Sequence, residues 1–169
     1  MKKIELLDCT LRDGAYIVDS MFGEQTIKGI ISNLQKARVD IIECGWLKDD
    51  LHKMGTSFFH LPEDIKTYLP AHKRKGTTYI AMIDYNRYDC SILPECDGKT
   101  IDAIRIVFPR GKVSEAVDVG KKIRNKGYRV YFQAANTIGY ADEELLEMIE
   151  ILNEVKPEAV SIVYTFGKM

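Results

Sequence analysis

Short apolar runs alternate with amphipathic stretches from one end of the chain to the other, and this alternation predicts a repeating strand–helix architecture. Ile4–Asp8 reads as a strand, and Glu24–Arg38 as a helix with Ile27, Ile30, Ile31 and Leu34 on one face. Asp40–Cys44 reads as a second strand. A polar loop follows, then a short helix near Pro62–Leu69, with Pro62 suited to a first helical turn. Thr77–Ile83 and Ile101–Phe108 read as the third and fourth strands, and Tyr85–Gly98 between them as loop with one short helical turn. Val113–Asn125 is a predicted helix stopped by Gly127. Tyr128–Ala134 is the fifth strand. Asp142–Val155 is a helix with Asp142 as N-cap and Leu145, Leu146, Ile149 and Leu152 on its buried side. Ala159–Val163 is the sixth strand.

Several of these strands are apolar on both faces, the pattern of a parallel sheet covered by helices. The alternation alone fits an open doubly wound sheet and a barrel equally. No G-x-G-x-x-G follows the first strand, so a dinucleotide-binding domain loses its main support.

With 169 residues the chain can build one domain with a substantial core. Its 24 basic and 25 acidic side chains leave a formal charge of -1, which argues against a nucleic-acid surface. No apolar run approaches the roughly 20 residues of a transmembrane helix, and the N-terminus lacks a signal-peptide apolar segment. Cys9, Cys44, Cys90 and Cys96 show no C-x-x-C spacing and read as free thiols. A cytoplasmic, reduced setting is expected, with no membrane or nucleic-acid partner.

The segment Leu7-Asp8-Cys9-Thr10-Leu11-Arg12-Asp13-Gly14 stands apart from this regular pattern. It places Asp, Arg and Asp at the exit of the first strand, with a glycine to release the turn. The carboxyl ends of parallel strands are where α/β proteins hold ligands. A guanidinium beside a carboxylate there can hold a divalent cation and the oxyanion it polarises. For an arbitrary R-D-G, a surface ion pair would be the commoner outcome.

The longer run D-x-T-L-R-D-G resembles the opening signature of the DRE-TIM metallolyases, a family that includes hydroxymethylglutaryl-CoA lyase, isopropylmalate synthase and 4-hydroxy-2-oxovalerate aldolase. Ile42-Glu43-x-Gly45, Arg105 in the fourth strand and Thr165-x-Gly167 after the sixth extend the likeness. The resemblance implies that Arg12 stabilises an enolate-like oxygen, that Asp13 binds a divalent metal and that Glu43 orients Arg12. An always-protonated fork donor suits an oxyanion, and a hard carboxylate suits magnesium or manganese. Glu43 could equally be a strand-end carboxylate paired with any nearby base. Asp8 is expected to support the loop structurally.

Three positions depart from the family. Tyr16 stands where the aldolase branch often has His, and Ala15-Tyr16 where synthases tend to have Glu-Gln. A phenol with a pKa of about 10 is a poor base at neutral pH, but it can donate a hydrogen bond or a proton, so Tyr16 joins the catalytic candidates. Tyr164-Thr165-Phe166-Gly167 stands where the family has D-T-x-G. The family's H-x-H element has no counterpart, and His52, His60 and His72 read as solvated loop histidines.

Arg105 lies inside an apolar strand and needs a partner, for which Glu43 or Asp13 is a candidate. Gln133 and Asn136 surround the end of the fifth strand, where they could contact a substrate carboxylate or tie down loops. Lys121, Lys122, Arg124, Lys126 and Arg129 read as a solvated basic face, and Trp46, Tyr85 and Tyr88 as loop residues that shape either a substrate mouth or a packing surface.

The resemblance therefore favours an α/β fold, a partial TIM-type (β/α) barrel of about six parallel strands with helices outside. Two βα units fewer than a regular eight-stranded barrel would leave it open. Residues 1–169 are read as the N-terminal part of an aldolase-like barrel domain. The implied activity is a lyase that makes or cleaves a carbon–carbon bond next to a 2-oxo acid through a metal-bound enolate. Manganese or magnesium would serve the intact enzyme, and none is expected on this chain alone. Its partners would be a 2-oxo acid or aldol substrate and a second copy docked across the exposed barrel edge. An acyl-CoA-dependent Claisen-type synthase and a non-catalytic scaffold descendant are the alternatives.

Overall fold

The structure is a computed structural model and describes residues 4–163. The Tyr164–Gly167 segment weighed above lies outside the described residues. In chain order the elements are β1 (Leu7–Asp8), α1 (Thr10–Asp13), α2 (Glu24–Lys36), β2 (Ile41–Leu47), β3 (Phe58–Phe59), α3 (Pro62–Lys66), β4 (Thr78–Asp84), β5 (Ala103–Phe108), α4 (Val113–Asn125), β6 (Arg129–Ala134), α5 (Asp142–Val155) and β7 (Val160–Ile162). Hydrogen bonding orders the strands β1-β2-β4-β5-β6-β7, with β3 beside β2. Six parallel strands in chain order make an α/β partial barrel; a doubly wound sheet would reverse direction from its first strand. Among the described residues no helix is long and apolar enough to cross a membrane.

Two compact units divide the chain. The first runs to Met82 and includes Cys96–Ala103; the second comprises Ile83–Glu95 and the residues from Ile104 onward. In the first, Leu7 pairs with Ile41 and Asp8 with Ile42, while Ile41–Glu43 pair in register with Thr78–Ile80. Ile27 and Ile31 of α2 are fully buried, as the 3.6-residue period requires, and Ile30 and Leu34 flank them half-buried. Asp102 fastens the start of β4: it accepts from the Tyr79 backbone N–H at 2.8 Å and from Lys73 Nζ at 2.5 Å. The Tyr79 hydroxyl donates to Gln35 of α2. Burial pushes the Tyr79 phenol up to about 12, which keeps it a donor at physiological pH.

In the second unit Phe108 and Phe132 meet edge to face at 6.2 Å, and β6 pairs with β7 from Phe132↔Val160 to Ala134↔Ile162. Arg110 grips Glu144 of α5 with two nitrogens and donates a third bond to the Gly139 carbonyl at 2.8 Å. The Glu144 carboxyl is held below the usual range, first by the Arg110 hydrogen bond and then by the Ala141 backbone N–H.

α4 and α5 end where periodicity places them, whereas α2 stops at Lys36, two residues before Arg38, which takes φ +63°. α3 stops at Lys66, and Asp64 holds its start by accepting from the Leu61 and His60 N–H groups at 2.8 and 3.0 Å. Asp142 is the first residue of α5 and not its cap; Ala141 precedes it, and Glu144 reaches back to the Ala141 N–H at 2.8 Å. Tyr85–Gly98 forms turns without the expected helical turn. Trp46 lies within β2, which runs three residues past Cys44. The basic face is only partly solvated: Arg124 donates to the Val155 and Lys156 carbonyls, and Lys126 to those of Ser91 and Leu93.

Gly120 lets α4 lie directly on β6, because a Cβ there would come within 2.7 Å of Phe132 Cζ and 3.4 Å of Ile106 Cδ1. Gly120→Ala should lower stability by about 1–2 kcal/mol in urea denaturation: overpacking of roughly 1–3 kcal/mol outweighs alanine's helix advantage of about 1 kcal/mol.

Candidate active site

The turn after β1 is built by short-range bonds. Asp8 accepts from the Thr10 backbone N–H and from its hydroxyl, both at 3.0 Å. The Cys9 carbonyl receives the N–H groups of Arg12 and Asp13 at 3.0 and 2.7 Å. The result is one tight turn of helix, anchored by the fully buried Leu11 and continued by a 3₁₀ turn over Gly14–Tyr16. Arg12 and Asp13 thus leave adjacent backbone positions with very different exposure: their side chains are 11% and 65% accessible.

Glu43 comes from β2, where every residue except Trp46 is buried, as expected of a parallel strand covered on both faces. Its side chain is fully buried. Immediately beyond it the pairing of β2 with β4 shifts register between Glu43 and Trp46, a bulge. Gly45 sits in that bulge at φ +144°, and a Cβ there would lie 2.1 Å from the Ser57 carbonyl oxygen. The same carbonyl accepts the Trp46 N–H at 3.0 Å, and the Ser57 N–H in turn reaches the Ser20 carbonyl at 3.0 Å. Glycine in Ile42-Glu43-x-Gly45 is therefore required by backbone contact between β2 and the segment ahead of β3.

Arg12 joins these parts. Its Nε donates to Glu43 Oε2 at 2.9 Å, and its Nη1 to Asp13 Oδ1 at 2.7 Å. Among the described residues, Nη2 meets no hydrogen-bond acceptor. Burial by itself would lower the guanidinium pKa; the charge and hydrogen bond of Glu43, with the charge of Asp13, outweigh it and leave the pKa raised. The planar fork is thus held on two edges by carboxylates, and its third nitrogen can take an incoming oxygen.

The other candidates are placed as follows. Asp8 caps the turn that carries Arg12. Tyr16 projects from the 3₁₀ turn and is 74% exposed. Arg105 is buried in β5 and reaches Ser161 Oγ of β7 at 3.5 Å. Gln133 is buried in β6, in register with Ser161. His52 and His60 are half-buried and hydrogen-bonded within the protein. His52 Nδ1 lies 2.6 Å from the Phe58 carbonyl, which can only accept, so Nδ1 carries the proton; Nε2 faces the Tyr68 hydroxyl at 3.1 Å. His60 Nδ1 bonds the Lys48 carbonyl at 3.2 Å, and His72 alone is exposed. Among the described residues no group of three His, Cys, Asp or Glu side chains is arranged to hold a metal. Sequence reasoning missed the Ser57–Gly45 contact, for which the φ-tolerant glycine was the available signal.

The chain matches no protein-family model and no curated relative. Among solved structures it is similar to the N-terminal domain of a "putative aldolase" from Bacteroides vulgatus, with a TM-score of 0.78 and 20% identity. The alignment covers 98% of this chain and 56% of that one, so the chain spans little more than half the neighbour's length. At this identity the likeness shows the fold.

Removing Glu43 would leave the largely buried guanidinium with only the mostly exposed Asp13 as counter-charge, a loss of up to about 3–5 kcal/mol, out of a domain stability of about 5–15 kcal/mol. Glu43→Ala should therefore unfold at markedly lower urea concentration than Glu43→Gln, whose amide oxygen can still accept from Nε. Equal midpoints for the two variants would show that the bond to Arg12 contributes little.

Proposed function

We propose that this chain carries the oxyanion-stabilising part of an aldolase-like lyase related to the DRE-TIM metallolyases. In the intact protein it would make or cleave a carbon–carbon bond next to a 2-oxo acid through an enolate. The reading rests chiefly on one observation: Glu43 and Asp13 occupy Nε and Nη1 of a largely buried arginine at the carboxyl end of β1, leaving Nη2 for a ligand. The fold likeness to an N-terminal domain of an aldolase-titled protein agrees with it.

In this reading Glu43 is a positioning residue. Its buried carboxylate fixes the plane of the guanidinium, so the fork need not reorganise as negative charge develops on a substrate oxygen. Arg12 donates from Nη2 to that oxygen and cannot itself lose a proton near neutrality. Asp13 keeps one oxygen on Nη1 and, being mostly exposed, presents the other outward.

A manganese or magnesium ion in the intact enzyme belongs to the same proposal. The described residues do not by themselves fit such an ion: they supply the single carboxylate of Asp13, and hard divalent cations take several oxygen ligands.

The test is an assay of the intact protein with a 4-hydroxy-2-oxo acid and manganese, following release of pyruvate. Arg12→Lys should lower kcat about a hundredfold, the effect of losing one oriented oxyanion donor, because a point charge does not reproduce the fork. Near-normal turnover in that variant would make Arg12 structural. Consumption of acetyl-CoA with a 2-oxo acid would indicate a synthase, and neither activity would leave a scaffold role. Manganese affinity, followed by calorimetry, should fall sharply in Asp13→Ala; an unchanged affinity would remove Asp13 from the metal's shell.

A further inference from the structure

A cavity of about 380 Å³ lies in the first unit, between the segment after the Gly14–Tyr16 turn and the loop that leaves β2. Lys48, the first residue beyond β2, is half-buried on its wall. Its Nζ sits 3.6 Å from the centre of the Phe58 ring. Among the described residues it lies within ion-pair distance of no carboxylate, although Asp19 and Asp50 line the same cavity. An ammonium partly withdrawn from water on an aromatic face, and not neutralised by the carboxylates nearby, is an anion-binding group.

The other walls limit what the anion can be. Met21 and Leu51 line the cavity and are 44% and 87% exposed, so apolar surface waits there without protein cover. The lining carries Lys48 and Lys53 against Asp19 and Asp50, a formal balance of zero. On a lining with no net positive charge, repulsion by the two carboxylates weighs more on a dianion such as phosphate than on a singly charged group held at Lys48. The backbone supports a formed wall: Asp19 and Ser20 hold φ +46° and +62°, uncommon for residues with a Cβ. The Ser20 carbonyl fixes this bend by accepting the Ser57 N–H at 3.0 Å.

We propose that this cavity binds an aliphatic carboxylate, its anionic end at the Lys48 ammonium and its carbon chain against Phe58, Met21 and Leu51. The site is separate from the Arg12 fork and requires no reaction there.

Hexanoate is the probe, followed through the methyl resonances of Met21 and Leu51 in the full chain. These should shift saturably with hexanoate, and less with inorganic phosphate or hexylammonium at equal concentration. Lys48→Gln, which keeps the stem over Phe58, should weaken hexanoate at least about tenfold, the loss of one charge-assisted hydrogen bond. Leu51→Ser, at a position too exposed to affect folding, should weaken it several-fold. Undiminished affinity in either variant overturns the proposal. So does tighter binding of phosphate or hexylammonium, or the absence of a saturable shift in the wild-type chain.

Discussion

A buried charge that must be answered governs the first unit. Glu43 sits in a strand closed to water on both faces, where an isolated carboxylate would cost several kcal/mol. A compensating charge arrives from the loop after β1 as Arg12, whose Nε lies 2.9 Å from Glu43 Oε2, and this ties the loop to the strand. Asp8, the Cys9 carbonyl and the buried Leu11 each narrow the turn until Arg12 has one direction to take. The ion pair and the turn are therefore a single requirement, met partly by electrostatics and partly by backbone geometry.

The second unit is governed differently. Its helices lie on strands through close contact, with Gly120 bringing α4 against Phe132 and the Phe108–Phe132 pair beneath. Its long cations serve as loop fasteners: Arg110, Arg124 and Lys126 each end on backbone carbonyls. Charge there ties down chain ends of helices and turns, as Lys73 does in the first unit on the Gly98 and Thr100 carbonyls, where the Arg12–Glu43 pair is in addition withdrawn from solvent.

Much of this was legible in the amino-acid pattern. α4 and α5 occupy the residues that the 3.6-residue period assigns, but α5 buries Met148 and Leu152, exposes Leu146 and Ile149, and is capped by Ala141 and not Asp142. The order of the strands followed from the likeness of Asp8–Gly14 to a known barrel signature; alternation alone left it open. What escaped was short and cooperative. β3 has two residues and exists because β2 offers it a partner, and α1 is a single turn held by side-chain bonds. His52 looked like a solvated loop residue because its partners, the Phe58 carbonyl and the Tyr68 hydroxyl, are six and sixteen positions away. The Arg12–Glu43 contact spans 31 positions; either residue could be singled out, but only the fold sets their 2.9 Å separation.

The backbone contact at Gly45 has a consequence for how such a protein can change over time. The Ser57 carbonyl occupies the space that any Cβ at position 45 would need, and the same carbonyl holds the Trp46 N–H. No single replacement at position 45 can be tried without first rerouting the segment ahead of β3, and rerouting that segment removes a bond from β2 three residues past Glu43. The strand that carries the buried carboxylate and the loop that carries Lys48 are thus one heritable piece. Variation in what the loop recognises has to be found among side chains such as Met21, Leu51 and Lys53, while the path of the chain itself stays where it is.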